Sequence, residues 1–292
     1  MFLLYFIILA VGGVNSLHIA FVGDSLLRYQ YLCYVWSIHF NVPSCPPYLV
    51  NENLHQNWSA FYANTTDVFE GAMICDCWRL ENTKIYDIIE NRFYSHPTIN
   101  LQVTYIEKFG DLPARGHNYS NLVYKPGITG YSVSKVEPIE FVYSWIEIFH
   151  TFIPSMSVPV EAVILNAGFH PHRHTISIAK GIIETASNDN KFVTIWAETT
   201  PVNPICPKKR IDIDSVVNKM ISIRNETMKT TDPSGSPNVA YVAFPHHLLK
   251  SPLTSANYWD CFHFNDVSAY SARSHAIMDV IDQMVKTRHI TH

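Results

Sequence analysis

Apolar and polar positions along this chain follow two rhythms, and the changes of rhythm mark its elements. Residues 17–22 form a short apolar run that opens on Gly23-Asp24-Ser25. From 26 to about 39 the apolar residues recur at helical spacing, so the pattern predicts a strand, a tight turn and a helix. The stretch 40–135 keeps neither rhythm. It is rich in Pro, Asn, Tyr and Cys, with short strands expected at 100–106 and 131–136. Beyond it the pattern predicts a helix at 141–152 and a buried strand at 162–165 ending on Asn166-Ala167-Gly168. There follow a helix at 176–186, a strand at 192–197, a helix at 213–228, a strand at 239–244 and a last helix at 267–285. Strands alternating with helices predict an α/β fold, a mostly parallel sheet with helices on both faces. Ligands of such sheets bind beyond the carboxyl ends of the strands. Gly23-Asp24-Ser25, Asn166-Ala167-Gly168 and the loop before the last helix all fall at or just after such ends.

The first residues set the expected compartment. Residues 2–14 are almost continuously apolar, but a span of roughly 30 Å needs about 20 such residues. The run fits the core of a secretory signal peptide, with Val14 and Ser16 at −3 and −1 of a cut before Leu17. A buried core helix or an uncleaved anchor is the alternative. A strand expected at once after the cut leaves no stem, which argues against an anchored enzyme. No later segment reaches transmembrane length, so no stable membrane insertion is expected once the signal is cut. The expected organisation is a signal peptide at 1–16 and a single domain at 17–292. The expected location is outside the cell or in the lumen of the secretory pathway.

That compartment changes the reading of the six cysteines, at 33, 45, 75, 77, 206 and 261. An even set in an oxidising compartment predicts disulfides. For the close pair, Cys75-Asp76-Cys77, the side chains are assigned to opposite faces of a strand, which predicts a distant partner for each. A zinc site is the alternative, but no second close pair completes it. Four Asn-x-Ser/Thr sequons, at Asn57, Asn64, Asn118 and Asn225, fit the same compartment. Three of them fall between 50 and 120, so about 40–135 is expected to be an exposed, loop-rich, disulfide-bearing insertion.

Composition narrows the functions. The chain has 292 residues, is 47% hydrophobic and 16% charged, and so has the means to bury a sizeable core. Its 21 basic and 25 acidic residues give a net charge of −4. That excludes a strongly basic nucleic-acid binder and suits a neutral carbohydrate or ester substrate.

The chemistry concentrates at the predicted strand ends. Ser25 falls at a strand-to-helix junction, where a helix N-terminus favours negative charge. A hydroxyl there can attack a carbonyl while its own N–H helps hold the oxyanion. The plain alternative is that Asp24 or Ser25 only caps the helix. Asp260-Cys261-Phe262-His263 supplies a base, His263, and an orienting carboxylate, Asp260, at a spacing that one helical turn brings together. Asn166 is expected to project from the same edge as a further oxyanion donor, and Gly168 to let backbone approach the substrate. Arg28, one helical turn after Ser25, either clamps a substrate oxygen or pairs with an acid. Alternate histidines at His170, His172 and His174 invite a metal, but no acidic residue accompanies them, and a polar loop is the better reading. No metal is expected. Trp58, Trp78 and Tyr258-Trp259 are candidate sugar platforms, with core packing as the default use.

Taken in order, Gly23-Asp24-Ser25-Leu26-Leu27-Arg28, Asn166-Ala167-Gly168 and Asp260-Cys261-Phe262-His263-Phe264 resemble the SGNH, or GDSL, hydrolase superfamily. More narrowly they resemble the PC-esterase group, which includes the plant trichome-birefringence-like glycan O-acetyltransferases. Trp196-Ala197-Glu198-Thr199-Thr200-Pro201 is similar to a further block of that group. The resemblance implies a flavodoxin-like three-layer α/β/α domain with a Ser-His-Asp triad. It also implies acyl transfer, usually of acetyl, to or from carbohydrate hydroxyls. It needs no cofactor beyond an acetyl donor, such as acetyl-CoA or an acetylated glycan, if the enzyme is a transferase. In that group the cysteine at the position of Cys261 is commonly disulfide-bonded. Three departures stand out. Ala167 breaks the superfamily's Gly-x-Asn-Asp, Phe264 replaces a common Trp, and the separate oxyanion glycine has only Gly110 and Gly130 as candidates. The alternatives are a non-catalytic glycan- or protein-binding module on the same fold, and an esterase of lipids or small esters.

Overall fold

The computed structural model describes residues 16–46, 49, 58–79, 88–110, 112–116, 141–166, 192–200, 218, 221–222, 225, 239–245 and 267–291. Strand β1 (Leu17–Gly23) is buried along its whole length, as a strand flanked on both faces and both edges must be. Helix α1 (Ser25–His39) follows after a single residue and is buried nearly all round. Helix α2 (Trp58–Asp67) leads to β2 (Met73–Arg79), β3 (Ile88–Ser95) and β4 (Leu101–Glu107). Two short strands, β5 (Ala114–Gly116) and β6 (Phe141–Tyr143), pair with each other apart from the main sheet. A short helix, α3 (Trp145–Glu147), runs into a π turn over Ile148–Phe152 and a 3₁₀ turn over Ile153–Ser155. Strands β7 (Ala162–Leu165), β8 (Val193–Ala197) and β9 (Val239–Val242) and the long helix α4 (Val267–Thr291) complete the described elements.

The main sheet has the order β2-β3-β4-β1-β7-β8-β9. β4, β1, β7, β8 and β9 are parallel, and β3 is antiparallel to both β2 and β4. A mostly parallel α/β sheet is therefore present, as the alternation predicts. β1 has β4 on one side and β7 on the other, so the strand order reverses around β1. Such a reversal opens a crevice at the carboxyl ends, and those ends here are Gly23, Glu107 and Leu165.

Side chains of β1 divide between two cores. Ile19 and Phe21 join α1 and α4 on one face, while Ala20 and Val22 join Trp145, Ile148 and Phe152 on the other. α4 is fastened to α1 by Gln30, whose Nε2 donates to the Tyr270 carbonyl at 3.0 Å and to Ser274 Oγ at 2.6 Å.

Three expectations need correction. The stretch 40–135 is not a loop-rich insertion where it is described, because it supplies α2 and three strands of the main sheet, β4 among them as a direct neighbour of β1. The helix expected at 141–152 begins instead as a strand, and Ser144 breaks it by capping α3 through the Glu147 N–H. Cys75 and Cys77 are bonded to each other, and Cys33 to Cys45. Positions i and i+2 of a strand share a face, so the two side chains of the close pair meet instead of diverging. The expected elements at 131–136 and 176–186, residues 1–15 of the expected signal peptide, Cys206 and Cys261 lie outside the described residues. Asn218, Ile221, Ser222 and Asn225, within the helix expected at 213–228, are helical.

One buried histidine makes the fold sensitive to acid. His18 opens β1, with Nδ1 2.9 Å from the Val158 carbonyl and Nε2 2.9 Å from Thr104 Oγ1. Burial lowers its pKa from 6.5, against the opposing pull of Val158. The folded protein therefore binds fewer protons than the unfolded chain below that value. Its contribution is complete above the unfolded pKa and is lost as pH falls towards the folded one. His39 and His96 are lowered by burial as well and act in the same direction. The thermal midpoint is expected to fall between about pH 7 and about pH 5, and less steeply in His18→Gln. An unchanged slope in the variant would remove His18 from the account.

Candidate active site

The site is built outward from Gly23, the last residue of β1. A Cβ on Gly23 would lie 2.7 Å from the Asn166 carbonyl oxygen and 2.9 Å from Leu27 Cδ2. The nearest atom is backbone, so it cannot swing aside. Glycine here lets β1 and the end of β7 close on each other just where the strand order reverses. Gly23→Ala is expected to cost about 1–3 kcal/mol in chemical denaturation, the usual penalty for overpacking. A variant as stable as the wild type would show that the two strand ends are free to separate.

Asp24 comes next, extended at φ −84° and ψ −168°, and its Oδ1 accepts from the Leu26 N–H at 3.0 Å. The plain capping role is thus Asp24's own, and it puts Ser25 at the first helical position. Ser25 is half-buried. The two carbonyls before it are held from several sides. The Gly23 oxygen accepts from the Lys108 N–H at 2.8 Å and the Tyr105 hydroxyl at 3.1 Å. The Asp24 oxygen accepts from the Arg28 N–H at 3.0 Å and the same Tyr105 hydroxyl at 3.0 Å. Burial, with the Glu107 and Glu90 carboxylates nearby, pushes the Tyr105 phenol well above its ordinary pKa, so it remains a donor.

Asn166 follows β7 and is buried at the same edge as Ser25. Its N–H donates to the Val22 carbonyl at 3.3 Å. Its Nδ2 donates to the Ala197 carbonyl at 3.1 Å, and its Oδ1 accepts from Thr199 Oγ1 at 3.3 Å. The carboxamide is therefore oriented by the end of β8.

Of the two uses foreseen for Arg28, the structure shows pairing with an acid. Arg28 is 1% exposed, and its guanidinium donates through Nη1 to Glu90 Oε2 at 2.8 Å and through Nη2 to the Tyr29 hydroxyl at 3.0 Å. It lies against the rings of Tyr29, Trp58 and Phe61, 4.8–5.2 Å from their centroids. Burial is the largest single influence and opposes the charge, but Glu90 together with the phenols of Tyr29, Tyr105 and Tyr62 outweighs it, so Arg28 titrates well above its ordinary range. Trp58 is thereby engaged in packing on Arg28, Phe61 and Tyr62.

Sequence reasoning missed three features of this edge. Glu90 bridges Arg28 and Arg92, and no pattern near Glu90 announces it. Lys108, buried just after β4, donates through Nζ to the carbonyls of Gly110 and Leu112 and lies 5.0 Å from the Trp145 ring centroid. Trp145 Nε1 also donates to the Gly110 carbonyl, at 2.8 Å. Gly110, one of the two candidate oxyanion glycines, thus sits beyond the strand that neighbours β1, with φ at +50°. On the other side of the edge, Arg273 of α4 is fully buried 5.7 Å from the Phe244 ring centroid. Burial lowers its pKa to about 10 against the pull of Tyr270 and Glu198. Glu198 Oε2 accepts from the Phe244 N–H at 2.8 Å, which ties β8 to β9 at this level. The block around Trp196 was noticed in the sequence, but its use here was not.

Asp260, His263, Gly168, Gly130, Tyr258, Trp259 and the alternate histidines 170, 172 and 174 lie outside the described residues, as do Asn57 and Asn118. Asn64, on α2, and Asn225 are exposed, as glycan acceptors must be. The two disulfides are compatible with a secreted or lumenal protein. Among the described residues no helix is long and apolar enough to cross a membrane. No protein-family model and no curated protein matches this sequence.

Proposed function

We propose that the protein is a serine-dependent O-acyl enzyme of the secretory pathway, acting on acetyl esters of glycan hydroxyls. The observation that carries the reading is the position of Ser25. It is the first residue of a helix capped by another side chain, it is half-buried, and it stands at the carboxyl end of β1 where the strand order reverses. The succession β4-β1-β7-β8-β9 also supports a flavodoxin-like arrangement of the kind the motif resemblance implies, with β2 and β3 added at one edge.

In this reading Ser25 Oγ attacks the ester carbonyl carbon while His263 takes its proton. Asp260 fixes the imidazole tautomer, and the Ser25 N–H with the Asn166 amide holds the oxyanion. The ester C–O bond breaks, His263 returns the proton to the leaving oxygen, and an acyl-serine remains. An acceptor O–H then attacks that acyl group and gives its proton to His263, the bond from the acyl carbon to Ser25 Oγ breaks, and His263 returns the proton to Oγ. Water as acceptor makes an esterase, and a sugar hydroxyl makes a transferase. Exclusion of water from the acyl-enzyme decides between them.

The test is labelling of the folded, secreted protein by a fluorophosphonate, followed by mapping of the modified peptide. Label on Ser25 supports the reading. A folded protein that takes none sinks it and turns attention to a binding module on the same fold, since a fold secures no activity.

A further inference from the structure

The peptide group joining Asp24 to Ser25 has two ends with different duties. Its N–H belongs to Ser25 and, in the reading above, faces the oxyanion. Its carbonyl belongs to Asp24 and is held inside the protein. The Tyr105 hydroxyl lies 3.0 Å from that carbonyl oxygen and 3.1 Å from the Gly23 carbonyl oxygen one residue earlier. Tyr105 stands on β4 opposite Phe21 of β1, is fully buried, and packs its ring 5.6 Å from that of Tyr31 on α1. It is thus fixed by strand pairing below and by the helix beside it. A tyrosine that only filled the core would satisfy its hydroxyl with one acceptor. Here the single hydroxyl proton is shared between two successive carbonyls, the second of which belongs to the Asp24–Ser25 peptide group, and so constrains the plane of that group. A hydrogen bond to an amide oxygen also polarises the amide and strengthens its N–H as a donor.

We propose that Tyr105 is a positioning residue, which sets the orientation of the Asp24–Ser25 peptide group and so aims the Ser25 N–H at the oxyanion. The proposal rests on the reading of Ser25 as nucleophile, and goes beyond it by assigning a residue from β4 that touches neither substrate nor Ser25 Oγ. Lys108 N–H meets the Gly23 carbonyl, and Arg28 N–H meets the Asp24 carbonyl as part of the ordinary helical ladder.

The test is Tyr105→Phe. The ring stays, and both carbonyls keep a donor, from Lys108 and Arg28, so the variant is expected to fold. On an aryl acetate, KM is expected within about twofold of wild type and kcat to fall about 10- to 100-fold. That loss is smaller than the roughly 10²- to 10³-fold seen when an oxyanion donor is removed outright. Labelling by the fluorophosphonate, whose adduct places an oxygen in the same hole, is expected to slow in proportion. A folded Tyr105→Phe with unchanged kcat and labelling rate overturns the proposal.

A second readout needs no activity. With ¹⁵N-Ser and carbonyl-¹³C-Asp, just two peptides of the chain are doubly labelled, 24–25 and 214–215. Ser25→Ala tells them apart. A shifted Ser25 amide resonance in Tyr105→Phe supports the positioning role, and an unmoved one removes it. If wild type takes no label while that resonance does move, the nucleophile assignment fails and the positioning of the peptide stands.

Discussion

Ser25→Ala is expected to lower kcat/KM for an aryl acetate by at least about 10³-fold while leaving the fold intact, since loss of a triad nucleophile can reach about 10⁶-fold in kcat. Both halves of that expectation come from one piece of geometry. Asp24 supplies the cap through its own carboxylate, so α1 loses no cap when the Ser25 hydroxyl goes. Alanine is the best helix former, and a half-buried first-turn position leaves no sizeable cavity. The stability change is expected to stay at about 1 kcal/mol or less, the usual size for a point substitution. Asp24→Ala is the informative contrast. It leaves the hydroxyl in place but removes the cap, at about 1 kcal/mol. Were Ser25 a second capping residue and nothing more, the two variants would resemble each other in stability and neither would lose hydrolysis. Equal hydrolysis by Ser25→Ala and wild type ends the nucleophile assignment.

What the sequence shows of this fold depends on where the burden of burial falls. β1, β7 and β8 bury every residue and β9 buries both its end valines, and all four read as largely apolar runs. β3 is as deeply buried, yet its centre is Glu90-Asn91-Arg92, three polar residues with no measurable exposure. A pattern that equates buried with apolar passes over it and reads loop. Arg92 pairs with Glu90 two residues before it, and the rest of what makes the three tolerable inside comes from partners distant in sequence. Arg28 is 62 residues from Glu90, and Asn91 Nδ2 reaches the Arg115 carbonyl at 2.8 Å, 24 residues on. The same non-locality hid the pairing of Arg28, which spacing alone left open between substrate and acid. At the site, Ser25 and Asn166 were legible because each ends an apolar strand and the topology rule brings such ends to one edge. Tyr105 and Lys108 were not, because bonding backbone carbonyls, of β1's end for Tyr105 and of its own loop for the Lys108 ammonium, needs no motif.

Glu90→Ala is the second substitution expected to act strongly, this time on stability. The carboxylate accepts from Arg28 Nη1 and Arg92 Nε, each at 2.8 Å, and none of the three side chains is more than 2% exposed. Removing it leaves two guanidinium groups inside the protein without their anion. Breaking a buried pair in this way costs about 3–5 kcal/mol, more than the pair itself contributes, because the remaining charge stays desolvated. For a domain of this size that corresponds to a fall of roughly 6–20 °C in the thermal midpoint. Glu90→Gln keeps the shape and one carbonyl acceptor, and is expected to fall between Ala and wild type. The decisive comparison is a triple replacement, Arg28→Met with Glu90→Leu and Arg92→Met. Apolar residues of similar volume often replace a buried ion network at no cost in stability. If the triple variant is more stable than Glu90→Ala, the harm in the single variant comes from stranded charge and not from lost packing. If both are equally unstable, the cluster acts by shape, with the rings of Trp58, Phe61 and Tyr62 fitted around Arg28 and Arg92. The network joins the first turn of α1 to β3, so the same triple variant bears on chemistry. Hydrolysis retained there would show that Arg28 serves the placement of α1 and takes no part in binding substrate.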